Sequence, residues 1–299
     1  MLFNSDELLS PNLQKLNHPI FIQNNLHVDV VRLDLVHPII SGNKWYKLQY
    51  YLQDAKSKGY KTVLTFGGAW SNHIVATAYA CRQKGLGSIA VIRGERPKMF
   101  SNALTDACSF GMELIFVSRL EYTSLKSGDE IHPSFKNHYI IPEGGKGILG
   151  TAGAATIAKL FPINDYRFCA CAVGTGTMMA GLLANAIETE IIGFPVLKVA
   201  DRVNNEFEQL MQSIGTRYRL EYNYHFGGYG KKTQELLNFM KDLYEASGMP
   251  TDFVYTAKLF YGLLDLAGKQ IFEPGSRICL IHSGGLQGNR SLPAGSLPY

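Results

Sequence analysis

Short, continuously apolar runs alternate with amphipathic ones along this chain. Lys61–Phe66 (KTVLTF), Ser88–Ile92 (SIAVI) and Glu113–Val117 (ELIFV) read as three strands. Phe168–Val173 (FCACAV), Ile191–Phe194 and Ile278–His282 (ICLIH) read as three more. Their apolar residues are unbroken rather than alternating, as in parallel strands covered on both faces. Between them the spacing predicts helices. One starts near Ser71, with Ile74, Val75 and Ala78 on one face, and one is capped by Ser101 or Asn102 and stops at Gly111. Others cover Gly150–Leu160, Met178–Ile187, Asn204–Ile214, Lys232–Ala246 and Phe253–Leu266. This alternation predicts an α/β protein with helices on both faces of parallel sheets.

Composition narrows the picture. The 299 residues suffice for one large domain or two intertwined ones. Apolar residues make up 46% and charged residues 18%, the reverse of a disordered chain. The net charge of +4 is too small and too scattered to argue for nucleic acid. The five cysteines are odd in number and contain no C-x-x-C pair, so buried thiols in a reducing cytosol are expected. The first residues lack a basic segment and a long apolar one, so no signal peptide is expected. The uncharged run Phe168–Ile187 is long enough to span a bilayer. Its middle, Gly174-Thr175-Gly176-Thr177, reads instead as a turn between strand and helix, so no membrane association is expected. The eight histidines lack metal-ligand spacing, and His73 reads as a hydrogen-bonding partner. No metal is expected.

Ligands of open parallel sheets bind beyond the carboxyl ends of the strands. Four segments there could carry chemistry. In Ser41-Gly42-Asn43-Lys44-Trp45-Tyr46-Lys47-Leu48, Ser41 or Asn43 can cap a helix, placing Lys44 in its first turn and Lys47 one turn on. A helix N-terminus repels a cation, which lowers an amine's pKa, as burial would. A neutral amine suits Schiff-base chemistry, although two solvated lysines are the plainer reading. In Gly67-Gly68-Ala69-Trp70-Ser71-Asn72-His73, the hydroxyl of Ser71 and the amide of Asn72 would face one crevice. Gly174-Thr175-Gly176-Thr177 suits a phosphate, but the third glycine of a dinucleotide fingerprint comes too late. Tyr229 lies in a glycine-rich loop, Tyr255 with Thr256 opens a helix and Ser283 follows the last strand, and each alone means little.

Together these segments resemble the 1-aminocyclopropane-1-carboxylate (ACC) deaminase and D-cysteine desulfhydrase family of pyridoxal-phosphate enzymes, of the tryptophan synthase β type (fold type II). The signatures G-N-K-x-x-K-L, G-G-x-x-S-N-H, P-E-G-G, Y-G-K and V-Y-T-x-K occur in the family order between about Gly42 and Gly285. The resemblance implies two domains, each an open, mostly parallel twisted sheet. Residues 48–155 would form a small inserted domain, and 1–47 plus 156–299 a large cofactor-binding one. It implies pyridoxal 5'-phosphate as cofactor, a small amino acid as substrate, a homodimer and a cytoplasmic location. Lys44 would form the imine with the cofactor, Asn72 would bond its 3-hydroxyl, and Lys47 with Gly174, Thr175, Gly176 and Thr177 would bind its phosphate. Ser71 would contact the substrate carboxylate or act as nucleophile, and Tyr229 and Tyr255 would line the reacting face.

ACC deaminases carry a glutamate where this chain has Thr256, and typically a leucine where it has Ser283. A hydroxyl cannot balance a pyridinium as a carboxylate does. The pair therefore resembles the desulfhydrase branch: β-elimination on a small D-amino acid, D-cysteine giving pyruvate, ammonia and sulfide. The alternatives are a true ACC deaminase, an NAD-dependent oxidoreductase weakened by the missing fingerprint, and a protein that binds pyridoxal phosphate without turnover. Bulky Trp70 and the sequence after Ser283 depart from the family and bear on the substrate.

Overall fold

The computed structural model describes residues 10–127, 135–198 and 217–299. Strands β1 (Asn12–Lys15) and β2 (His27–Arg32) enclose a short helix, α1 (Pro19–Gln23). Helix α2 (Asn43–Ser57) leads to a second sheet built from β3 (Thr62–Gly67), β4 (Gly87–Arg93), β5 (Met112–Val117) and β6 (Tyr139–Ile141). Its connections are α3 (Asn72–Gln83), α4 (Asn102–Ser109) and α5 (Arg119–Ser127). Helix α6 (Ile148–Ala155) returns the chain to the first sheet, which adds β7 (Phe168–Val173), β8 (Glu190–Pro195), β9 (Tyr218–Leu220) and β10 (Arg277–His282). With these go α7 (Thr177–Leu183), α8 (Gln234–Ser247) and α9 (Thr256–Gly268).

The sheet orders are β1-β2-β10-β7-β8-β9 and β5-β4-β3-β6. Every pairing is parallel except β1 with β2. The expected α/β architecture of two mostly parallel sheets flanked by helices is present. All six expected strands form, within a residue at either end. Ser71, Ser101 and Thr233 cap their helices by accepting from the backbone N–H three residues on.

Some elements differ from the sequence expectation. β1, β2, β6 and β9 were not anticipated. In β2 (HVDVVR) Asp29 interrupts the apolar run, and its carboxylate accepts from the Tyr166 hydroxyl at 3.0 Å. The single helix expected over Gly150–Leu160 starts at Ile148 and tightens to a 3₁₀ turn at Thr156. There the Thr156 hydroxyl donates back to the Gly153 carbonyl at 2.7 Å, the local competition that bends helices. Helix α7 stops at Leu183, and Asn185 then bonds the Gly181 and Ala155 carbonyls. Helix α9 begins at Thr256 rather than Phe253, because Asp252 takes up the N–H groups of Val254, Tyr255 and Thr256. The helix expected over Asn204–Ile214 lies outside the described residues.

The main core joins α2 and α7 through Trp45, Leu48, Leu52, Met178 and Leu182. A second lies under β2, β7, β8 and β10, where α9 contributes Phe260 and Leu263. Helix α6 packs on its neighbours backbone to backbone. A Cβ at Gly150 would lie 1.8 Å from the Gly145 carbonyl oxygen, at Gly153 2.1 Å from that of Tyr46, and at Gly181 2.5 Å from the Ala155 nitrogen.

Candidate active site

The site forms where α2 meets the carboxyl ends of both sheets. Gly42 precedes α2 with φ +80, and a Cβ there would fall 1.9 Å from the Ser283 carbonyl oxygen. Only glycine allows this approach. The Asn43 N–H donates to that same carbonyl at 3.2 Å. The first turn of α2 is thus docked on the corner after β10, which brings Lys44 beside Ser283.

Lys44 is partly buried and donates to Asn43 Oδ1 at 2.9 Å. Its Nζ lies 5.8 Å from the centroid of the Tyr255 ring. Burial lowers its pKa to about 8, opposed by the charge of Asp252. Of the two causes expected from the sequence, the helix N-terminus and burial, burial leads. Lys47, one turn on, is 4% exposed. Burial and then the Lys44 charge hold its pKa well below the usual lysine value. Its ammonium has no hydrogen-bonding partner among the described residues.

The Ser71 hydroxyl accepts from the Ile74 N–H at 3.4 Å, leaving its own proton available. Asn72 opens α3, and its Nδ2 lies 3.3 Å from where a Cβ of Gly285 would sit. The Asp252 carboxylate lies 3.2 Å from the same point, so the two sheets meet there. In the turn after β7, Gly176 adopts φ +78 and the Thr175 and Thr177 hydroxyls are 2.9 Å apart. This turn abuts both remaining parts of the site. A Cβ on Gly174 would touch the Tyr255 ring at 3.2 Å, and one on Gly144 would touch Thr175 at 3.1 Å.

Tyr229 and Tyr255 meet edge to face at 5.9 Å between ring centroids. Tyr229 is 48% exposed, yet its hydroxyl end is desolvated. Desolvation raises the pKa of both phenols, with Tyr255 well above its ordinary value. Thr256 is buried, and its hydroxyl donates to Asp252 Oδ1 at 2.7 Å while accepting from the Asp252 N–H at 2.7 Å. The Ser283 hydroxyl makes no hydrogen bond among the described residues.

Lys44, Tyr229, Tyr255 and the Gly174–Thr177 turn are therefore near neighbours, with Lys47 one turn from Lys44. Asn72 and Ser283 approach from the other sheet's helix and from β10. Sequence reasoning missed Asp252, which is fully buried and organises the Tyr255–Thr256 corner. Its signal was present: an aspartate followed at the second to fourth positions by the N–H groups it accepts is a helix cap. It also missed Asn43 as the partner of Lys44. Among the described residues no three metal-ligating side chains cluster, and no helix is long and apolar enough to cross a membrane.

A lowered lysine pKa suits condensation with an aldehyde, and a second buried cation beside a glycine–threonine turn suits a phosphate. The chain belongs to the family of pyridoxal-phosphate dependent enzymes, whose model matches residues 22–284. Within it, the chain is 35% identical to a putative ACC deaminase of Pyrococcus abyssi, over 89% of this chain and 87% of that one. It is 29% identical to the mitochondrial bifunctional D-cysteine desulfhydrase/ACC deaminase of Arabidopsis thaliana, over 89% and 74%. It is 27% identical to a D-cysteine desulfhydrase of Yersinia pestis, over 85% and 86%. A crystal structure of an ACC deaminase homologue superposes with a TM-score of 0.81 at 30% identity, over 95% of this chain and 91% of that one. The cofactor is pyridoxal phosphate. The ammonium of Lys47, in a residue 4% exposed and without a hydrogen-bonding partner among the described residues, fits its phosphate.

Proposed function

We propose that the enzyme catalyses β-elimination on a small D-amino acid, converting D-cysteine and water to pyruvate, ammonia and sulfide. The observation that carries this reading is the state of two hydroxyls. Thr256 has committed its proton to Asp252, whereas Ser283 keeps its own. A neutral pyridine nitrogen needs a donor, so we assign that contact to Ser283. When bound, pyridoxal phosphate supplies an aldehyde that takes up amines and a ring that draws electrons from the substrate α-carbon, weakly when its nitrogen is neutral. Weak withdrawal favours prompt loss of a β-leaving group over opening of a cyclopropane.

The protein's own groups then divide the work. Lys44 would hold the cofactor through its amine and, once free, would take the substrate α-proton. With a pKa of about 8, roughly a quarter of the Lys44 amine is neutral at pH 7.5, against about one in a thousand for an ordinary lysine. Lys47 and the Gly174–Thr177 turn hold the phosphate, and Asn72 donates to the 3-oxygen. Ser71 donates to the substrate carboxylate. Tyr229 and Tyr255 stay protonated near neutral pH, which makes them donors to the departing sulfur rather than bases.

Lys44→Ala should abolish both the absorbance of the bound cofactor near 410–430 nm and pyruvate formation. Full activity in that variant overturns the mechanism. The names borne by the Pyrococcus relatives favour a second reading, deamination of ACC. A screen of D-cysteine, D-serine and ACC, reading sulfide, pyruvate and α-ketobutyrate, separates the two. Substantial ketobutyrate from ACC would replace the first reading with the second.

A further inference from the structure

His73, the second residue of α3, is 2% exposed and is assigned no role in the steps above. Its Nε2 lies 2.8 Å from Thr65 Oγ1. Thr65 donates to the Ile141 carbonyl at 2.8 Å. A hydroxyl has one proton, so in its contact with His73 the threonine accepts and Nε2 donates. A neutral imidazole carries only one N–H, which leaves Nδ1 a bare acceptor. That atom is buried and has no hydrogen-bonding partner among the described residues. Protonation does not rescue it: burial, with the charges of Lys44 and Lys47, takes the pKa of His73 down to about 3.

Lys47 packs against the same glycine as His73. A Cβ on Gly145 would lie 3.8 Å from His73 Cε1, the carbon between the two ring nitrogens. The same point is 3.2 Å from Cβ of Lys47 and 3.8 Å from its Cδ. One side chain has a buried acceptor without a donor, and the other, in a residue 4% exposed, has donors without an acceptor among the described residues. Lys44 is the poorer match, since its amine already bonds Asn43 and is consumed when the cofactor attaches.

We propose that His73 is a positioning residue for the phosphate-binding lysine: once the phosphate is bound, the Lys47 amine turns so that Nδ1 accepts one of its N–H groups and the others face the phosphate. A chain of donors then runs from Lys47 through His73 and Thr65 to the Ile141 carbonyl, tying the phosphate end of the cleft to β3 and β6. The inference rests on the reading of Lys47 as a phosphate ligand.

The test is cofactor affinity of the apoenzyme, followed by fluorescence, for pyridoxal phosphate and for pyridoxal, which lacks the phosphate. The amide of His73→Gln reaches the Nε2 position and keeps the Thr65 contact, whereas that of His73→Asn reaches the Nδ1 position. His73→Gln should weaken pyridoxal phosphate about tenfold or more and leave pyridoxal within about twofold, while His73→Asn stays within about threefold of wild type. In a Lys47→Met background, His73→Gln should have no further effect. Wild-type affinity in His73→Gln, equal losses in both histidine variants, equal losses for both ligands, or additivity with Lys47→Met would each overturn the proposal. Should the variants not fold, ¹⁵N-histidine NMR of the wild-type protein decides. It should show the Nε2–H tautomer and an Nδ1 resonance that moves when pyridoxal phosphate binds; an Nδ1–H tautomer or an unmoved resonance refutes it. If Lys47→Met alone binds pyridoxal phosphate like wild type, the reading of Lys47 fails. If Lys47→Met loses affinity and His73→Gln does not, only the role of His73 fails.

Discussion

The contact between Gly42 and the Ser283 carbonyl holds Lys44 against the end of β10, and it can be broken by one methyl group. In Gly42→Ala the new Cβ would start 1.9 Å from that oxygen. Relief requires the helix start or the Ser283 corner to move by roughly 1 Å, a shift that can cost on the order of 100-fold in rate. The backbone at φ +80 adds about 1–2 kcal/mol for a residue with a side chain. Loss of the Asn43 N–H to Ser283 bond leaves buried polar groups unpaired, for about 1–3 kcal/mol more. A total of about 2–5 kcal/mol should lower the melting temperature by roughly 4–10 °C. Gly59 provides the control at the other end of α2. It has φ +77, but a Cβ there meets nothing within 4 Å. Gly59→Ala should therefore show the backbone cost alone, about 2–4 °C, with unchanged cofactor affinity and turnover. The measurements are calorimetric melting, cofactor content and D-cysteine turnover for both variants. If Gly42→Ala behaves like Gly59→Ala in all three, this contact does not place Lys44 and the reasoning fails.

Other consequences can be measured directly. The pKa of Lys44 is lowered in the folded state, so between about 8 and its unfolded value the unfolded chain binds the extra proton. Apoenzyme stability should therefore rise with pH across that window, and Lys44→Met should flatten the rise in denaturant titrations at pH 7.5 and 9.5. Asp252 raises the Lys44 pKa, so in Asp252→Asn the midpoint for cofactor association should move below pH 8. The same change turns an amide toward N–H donors at the start of α9 and should cost about 2–4 kcal/mol in stability. Trp70 is 48% exposed beside Ser71, so Trp70→Ala should change stability by no more than about 0.5 kcal/mol. Its expected effect is on KM for bulkier D-amino acids, which a substrate series reads.

What could be read from the sequence followed from how local each cause is. The FCACAV and ICLIH strands are apolar on both faces, and Ser71 and Ser101 cap helices through bonds three residues long. Both signals survive without knowledge of the fold. β2 was hidden because Asp29 is satisfied by Tyr166, far away in the sequence. The helix after Asp252 was placed early because apolar Phe253 and Val254 continue its pattern, while the carboxylate holds their backbone outside it. Within the site, the spacing of Lys44 and Lys47 follows from helix geometry alone. The lead of burial in the lowered pKa of Lys44 does not, since burial depends on which elements close over the amine. The commitment of Thr256 to Asp252, which separates it from Ser283, was equally invisible. Residues 62–141 supply the four-stranded sheet and the flanking segments the six-stranded one. A small inserted unit of residues 48–155 remains our proposal for the division of the chain.

The glycines of α6 and α7 have a mechanical consequence. Where main chain rests on main chain, as at Gly150, Gly153 and Gly181, there are no side-chain rotamers to give way. The α6–α7 corner then behaves as a fixed anvil, and under the proposed function adjustment to different substrates falls to side chains such as Trp70 and Tyr229, each half in solvent.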